Sequence, residues 1–195
     1  MLTCGRIGYG VGNLAGYSTA AANTMVIGNA LGKLTEAMYA STKNKKLKSF
    51  CIGHSLGSHV CGFTGKTKKL DGILGVDPAG PIFHDNSKDA RLNKDDAKFV
   101  QALHMDAGEL GIDIPVADED IYVNGGKDEP FCKGWLKEAV CSHSPFSLNF
   151  VPKIWEQGAK GNICHARIKC KTEVEAMVSK LNKELLFKIA TVKFD

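Results

Sequence analysis

A chain of 195 residues is the size of one domain, and a content of 44% apolar and 24% charged residues is ordinary for a globular protein. No apolar run approaches the roughly 18 residues of a membrane span, and a net charge of +4 is too mild to point to nucleic acid. The charge is uneven: residues 106–130 hold eight acids and one lysine, whereas residues 153–195 hold nine Lys/Arg and five acids. That basic tail reads as a solvated helix face, with an anionic lipid surface as the alternative.

The first seventeen residues are glycine-rich and read as an irregular, turn-rich loop, since no strand precedes Gly8, Gly10, Gly12 and Gly16. From about Ser18 to Met38 the pattern is helical, with Ile27, Leu31, Leu34 and Met38 on one face beside Ala30 and Ala37. Ser18 or Thr19 is expected to cap its start. After a surface cluster at Lys43–Lys48, Leu47–Ile52 reads as a buried strand ending at Gly53. Leu56 to about Lys66 is expected to be helical, with further buried strands at Gly72–Val76 and Phe99–His104. Strand, helix, strand at this spacing is the alternation of an α/β protein with a mostly parallel sheet flanked by helices. Residues 106–141 read as loop-rich, with a turn at Asn124-Gly125-Gly126, and a helix is expected around Ser144–Trp155. Beyond a domain of residues 1–172, residues 173–195 form an expected amphipathic helix with Val174, Met177, Leu181, Leu185 and Ile189 on one face.

Seven cysteines is a high and odd count. Cys132 with Cys141, and Cys164 with Cys170, are close in sequence within Gly-containing segments, which suits short bridged loops in an oxidising compartment. Cys51 and Cys61 sit in apolar stretches and read as buried free thiols, leaving Cys4 over. Met1–Gly10 has no apolar core of signal-peptide length.

Gly53-His54-Ser55-Leu56-Gly57 follows a predicted strand and opens a predicted helix, the context of a nucleophile elbow. Such a turn exposes the Ser55 hydroxyl, lets strand and helix approach through the flanking glycines, and aims the Leu56 N–H at a developing oxyanion. A serine hydroxyl needs a histidine base oriented by a carboxylate, and in this arrangement the order is serine, acid, histidine. Asp77, in Val76-Asp77-Pro78, ends a buried strand at the same sheet edge as the elbow, and Asp71 and Asp106 are weaker candidates. Six histidines compete for the base. Spacing alone leaves His143, just after Cys141, open against His54, His59, His84, His104 and His165. Gly65-Lys66-Thr67 echoes a phosphate-binding loop but has Val60 where that motif needs glycine.

Gly53-His54-Ser55-Leu56-Gly57-Ser58-His59-Val60, Val76-Asp77-Pro78-Ala79-Gly80-Pro81, Asp96-Ala97-Lys98-Phe99-Val100 and Cys141-Ser142-His143 resemble successive blocks of the pancreatic lipase family. The likeness runs from about Gly12 to Cys170. It implies a partial α/β-hydrolase fold, a triad of Ser55, Asp77 and His143, and a Cys132–Cys141 bridge at the base of the lid loop. It also implies a secreted hydrolase of lipid carboxylic esters acting at a lipid–water interface, with no cofactor. A lid of only eight residues, Lys133 to Val140, resembles the family's phospholipase A1 members and leaves room for a polar head group, with Trp135 and Leu136 placed to touch lipid. Where the family has a calcium loop, Asp96 matches but Lys88 and Asn93 replace the usual carboxylates, so metal binding is expected to be lost or weak. The family's upstream strand and His-Gly loop, which supplies a second oxyanion donor, has no match before Gly12. The expectation is therefore a truncated chain. The alternatives are a non-catalytic lipid-binding or yolk-protein-like relative and an inactive fragment. Head-group preference and oligomeric state stay open.

Overall fold

A computed structural model describes residues 16–42, 47–127, 129, 132 and 138–143. The expected helices at residues 144–155 and 173–195, Cys4, Cys164, Cys170, His165, Trp135 and Leu136 lie outside the described residues.

In chain order the elements are α1 (Tyr17–Ser41), β1 (Phe50–His54), α2 (Leu56–Thr67), β2 (Gly72–Val76), β3 (Val100–His104), β4 (Glu119–Tyr122) and a short α3 (Glu138–Cys141). The four strands form one sheet in the order β1-β2-β3-β4. Every pairing is parallel, with Cys51 opposite Ile73, Ile73 opposite Val100 and Ala102 opposite Asp120. All five residues of β2 and all five of β3 are buried, so these strands are covered on both faces. This is the α/β architecture expected from the alternation of elements.

β1 departs from expectation. It starts three residues later than predicted and is not buried: Phe50 is 42% and Ile52 45% exposed. It is an outer strand of the described sheet, with only β2 beside it. β4 lies in a stretch read as loop. Its acids disfavour a strand by propensity, but tertiary partners satisfy them: Gln101 Nε2 donates to Glu119 at 2.8 Å, and His104 Nε2 pairs with Asp120 at 2.8 Å.

The face of α1 also differs. The buried residues are Ala21, Thr24, Gly28 and Gly32, whereas Leu34 is 56% exposed. α2 causes this by coming very close. A Cβ on Gly28 would lie 2.4 Å from Phe63 Cβ and 2.7 Å from the Val60 carbonyl, and one on Gly32 would lie 2.4 Å from Thr67 Cβ. Only residues without side chains fit there, so the small residues face inward and the larger ones flank or leave the contact. Neither Ser18 nor Thr19 caps the helix. Gly16 occupies the N-cap without a side-chain bond, and Tyr17 fixes the start by donating its hydroxyl to Pro81 O at 3.0 Å.

Cys51 and Cys61 are joined as a disulfide, correcting the reading as free thiols. α2 folds back over β1, which brings their Cα atoms within 5.7 Å, inside the range a bridge needs. Two apolar neighbourhoods that looked separate in sequence are one packed layer.

The α1–α2 contact yields a test with an unusual sign. A glycine-to-alanine change inside a helix ordinarily adds about 1 kcal/mol of stability. Gly28→Ala is expected to remove about 2 kcal/mol instead, since the new methyl meets backbone and cannot move aside. Urea denaturation of the disulfide-intact chain measures it.

Candidate active site

The carboxyl ends of parallel strands lie along one edge of the sheet, where ligand crevices form in such folds. Ser55 follows β1 and Asp77 follows β2 at that edge. Both have positive φ, +55° and +44°. This region is disfavoured for residues with a Cβ and persists only where the surroundings enforce it. At Ser55 the surroundings are explicit. Its N–H donates to Val76 O at 3.0 Å, and Ser58 N–H donates back to Ser55 O at 3.0 Å. Ser58 Oγ donates to Gly53 O at 2.8 Å.

The two motif glycines are not equivalent. A Cβ on Gly53 would lie 2.2 Å from the Gly57 carbonyl oxygen, whereas one on Gly57 would meet nothing within 4 Å. Close approach therefore demands glycine at 53 alone. Leu56 is the first residue of α2, so its N–H is one of the amides at the helix start that lack an intrahelical acceptor.

A hydrogen-bonded chain joins three of the predicted residues. Ser55 Oγ lies 2.7 Å from His143 Nε2, and His143 Nδ1 lies 2.8 Å from Asp77 Oδ2. A carboxylate only accepts, so Nδ1 carries the proton and Nε2 accepts from the serine hydroxyl. The other Asp77 oxygen accepts N–H bonds from Met105 at 2.8 Å and Asp106 at 3.1 Å. The two residues that follow β3 thus hold the carboxylate in place, and Asp77 is fully buried. Cys132 and Cys141 are bridged just before His143. Glu129 N–H donates to Ser142 Oγ at 3.2 Å.

The other described histidines have separate partners. His59 is buried, stacked on Phe83 and bonded to Ala79 O and Leu92 N, and burial lowers its pKa to about 4. His84 pairs with Asp85 and Asp113 at the surface. His104 contacts Ile112 O and Asp120. His54 touches His143 itself, its Nε2 lying 2.6 Å from the His143 carbonyl oxygen. Asp71 lies before β2 at the opposite end, tied to Ser49 N, Lys98 and Tyr39.

Residues 2–144 match the lipase family. The chain belongs to the pancreatic lipase family. Among its relatives is a hepatic triacylglycerol lipase of Rattus norvegicus, 41% identical over 125 residues, which is 60% of this chain and 25% of the rat protein. A phospholipase A1 of Vespula squamosa is 38% identical over 134 residues, 66% of this chain and 45% of the wasp protein. A phospholipase A1 of Polistes dominula is 39% identical over 138 residues, 68% and 42% of the two chains. This lipase-family chain therefore spans between about a quarter and a half of those relatives.

The family's calcium loop is not reproduced in its chemistry. Asp96 Oδ1 holds the Lys66 ammonium at 2.6 Å and Oδ2 accepts Asn93 N–H at 2.9 Å. Asn93 is a cap, its side chain accepting from Asp95 N, and Lys88 pairs with Asp95. The one matching carboxylate is thus neutralised from within. Lysine and asparagine at the other two positions leave a donor set that does not fit a calcium ion.

Two carboxyl groups near the serine–histidine–aspartate chain escaped the sequence reading in this role. Asp106 is 1% exposed, and its carboxylate lies with ligand atoms of Asp77 and His143 within 4.8 Å of one another. Burial pushes its pKa up to about 7, the Leu110 N–H opposes this, and the Asp77 charge adds to it. Glu129 is equally buried, and burial, opposed by Asn124 and helped by Asp77, lifts it to about 7 as well. A second signal was present for Asp106, since it follows β3 as Asp77 follows β2. For Glu129 the sequence held none.

A carboxyl whose folded pKa is raised holds its proton more tightly in the folded chain than in the unfolded one. Its favourable contribution is complete below about pH 4 and is lost as pH rises through about 7. Asp106→Asn keeps an acceptor for Leu110 N–H and removes the charge. It is expected to stabilise the chain by on the order of 2 kcal/mol more at pH 8 than at pH 5, read from denaturation curves at the two pH values.

Proposed function

We propose that this chain is the catalytic part of a lipid carboxylic-ester hydrolase working through an acyl-enzyme. The observation that carries the proposal is the Ser55–His143–Asp77 hydrogen-bonded chain at a positive-φ serine. In this reading His143 takes the Ser55 proton as Oγ attacks the ester carbonyl, then delivers it to the leaving alcohol. Asp77 keeps the proton on Nδ1 and offsets the charge of the imidazolium. The Leu56 N–H faces the oxyanion, supported by the positive end of α2. Water, activated by the same imidazole, releases the fatty acid and regenerates the serine.

The relatives include lipases of both kinds, a triacylglycerol lipase and phospholipases A1. Phospholipid is the favoured substrate for this chain. The Cys132–Cys141 bridge closes a segment of eight intervening residues, and so short a cover leaves space for a charged head group. Two disulfides, Cys51–Cys61 and Cys132–Cys141, favour secretion into an oxidising compartment. Cys164–Cys170 is proposed as a further bridge. Among the described residues no helix is long and apolar enough to cross a membrane, which is compatible with a protein that meets lipid at an interface.

Hydrolysis of phosphatidylcholine vesicles and of a triacylglycerol emulsion by the disulfide-intact chain tests the reading beside Ser55→Ala. Phospholipid turnover is expected, lowered on the order of 10⁴-fold or more in the variant, with unchanged thermal unfolding. A serine-directed phosphonate is expected to label Ser55. A folded wild-type chain that neither turns over lipid nor labels would replace this reading with that of a lipid-binding relative without chemistry.

A further inference from the structure

His54 is the last residue of β1 and immediately precedes Ser55. Its Nε2 lies 2.6 Å from the backbone carbonyl oxygen of His143, across 89 residues of sequence, and the two imidazole centroids are 5.1 Å apart. A carbonyl only accepts, so the proton sits on His54 Nε2. Burial, the largest influence on this ring, lowers its pKa, with the His143 carbonyl opposing and the His143 ring adding to the effect. The donating form is therefore the neutral Nε2–H tautomer.

We propose that His54 is a positioning residue, whose Nε2–H clamps the His143 backbone to the strand that carries the nucleophile. The inference rests on Ser55, His143 and Asp77 acting as a triad. Two of the contacts around His143, the Cys141–Cys132 bridge and the Ser142–Glu129 hydrogen bond, tie its segment to residues close by in the chain. Glu129 is itself tied to Asn124, just past β4, so those contacts anchor the segment toward the strand farthest from Ser55. The His54 bond anchors it at β1 itself, where Ser55 is the next residue. The histidine ring is bonded at both nitrogens, to Asp77 and Ser55. Each of those bonds tolerates only a few tenths of an ångström of drift before proton transfer slows. One bond from the residue beside the nucleophile fixes the separation of base and nucleophile directly. The function of the residue between Gly53 and Ser55 is thus to measure a distance.

Two variants separate this role from packing. His54→Phe keeps a flat ring and loses the donor, while His54→Gln loses the ring and places an amide N–H where Nε2 was. The positioning role predicts that Phe lowers kcat for p-nitrophenyl butyrate by roughly 10- to 100-fold with KM nearly unchanged, and that Gln restores most of it. A packing role predicts the reverse order, with Phe the better replacement, and that order would overturn the proposal. Ser55→Ala in the same assay keeps the triad reading separate. If the wild-type hydrolysis survives in Ser55→Ala, the triad reading fails, whatever the His54 variants do. The proton shared by His143 Nδ1 and Asp77 then decides the clamp without activity, by proton NMR. Its low-field resonance is expected in the wild type and in His54→Gln and is expected to exchange away in His54→Phe. Equal persistence in both variants would reject the clamp, whereas no such resonance in the wild type would overturn the triad reading on which the clamp rests.

Discussion

The arrangement depends on how closely α2 folds back onto β1. A Cβ on Gly53 would sit 2.2 Å from the Gly57 carbonyl, so glycine at 53 is what permits the chain to reverse within a few residues. Three consequences follow from that one approach. Ser55 is driven to φ +55° at the apex, with its hydroxyl free to meet an imidazole. Cys51 comes opposite Cys61, so the reversal is locked covalently as well as by packing. The outer face of α2 is then held near enough for α1 to touch it backbone to backbone at Gly28 and Gly32. Sheet, elbow and two helices are one mechanical unit.

Charge around His143 is arranged by the same burial. Three carboxyl groups, Asp77, Asp106 and Glu129, are almost wholly removed from water there. Three adjacent buried negative charges would be very costly. Asp77 receives two backbone N–H bonds and the His143 N–H. Asp106 and Glu129, raised to about 7 by burial, can remain protonated and so avoid competing for the imidazole. Glu129 Oε1 has no hydrogen-bond partner among the described residues, which suits a carboxyl kept neutral better than a carboxylate. Below about pH 7 the same desolvation keeps Asp106 and Glu129 largely protonated, so they add little charge beside His143.

Much of this was legible in the sequence, for identifiable reasons. β2 is a continuous apolar run stopped by Asp77-Pro78, and β3 carries Val100, Ala102 and Leu103, so both strands have few other ways to be buried. Asp77 was legible because Pro78 marks where a strand stops, and Ser55 because the Gly-x-Ser-x-Gly pattern falls between a strand and a helix. The place of His143 beside Asp77 was not legible from spacing and needed the family resemblance, since a hydrogen bond across 66 residues leaves no local pattern. The face of α1 was misread because periodicity counts large apolar side chains, whereas a helix packed at glycine distance buries its smallest ones. Cys51 and Cys61 were misread because apolar surroundings suit a thiol and a disulfide equally, and only the fold-back distinguishes them. β4 was missed because its acids are satisfied by Gln101, His104 and backbone amides from elsewhere.

Backbone strain follows the same geography. Four non-glycine residues among those described have positive φ: Ser55, Asp77, Ile82 and Asn124. Asn124 is in a turn and is of a type that tolerates the left-handed region. Ser55 and Asp77 end strands at the carboxyl edge of the sheet. Ile82, at φ +74°, is a β-branched residue for which this conformation is costly, and it is also 49% exposed. It lies in the loop that leaves Asp77, between Pro81, whose carbonyl is held by Tyr17, and the buried Phe83. Both neighbours are fixed, one to α1 and the other against His59 in the core. The intervening residue must take whatever torsion joins them. A strained isoleucine at the surface is therefore a consequence of anchoring the loop on both sides of it, as the strained serine is a consequence of turning the strand.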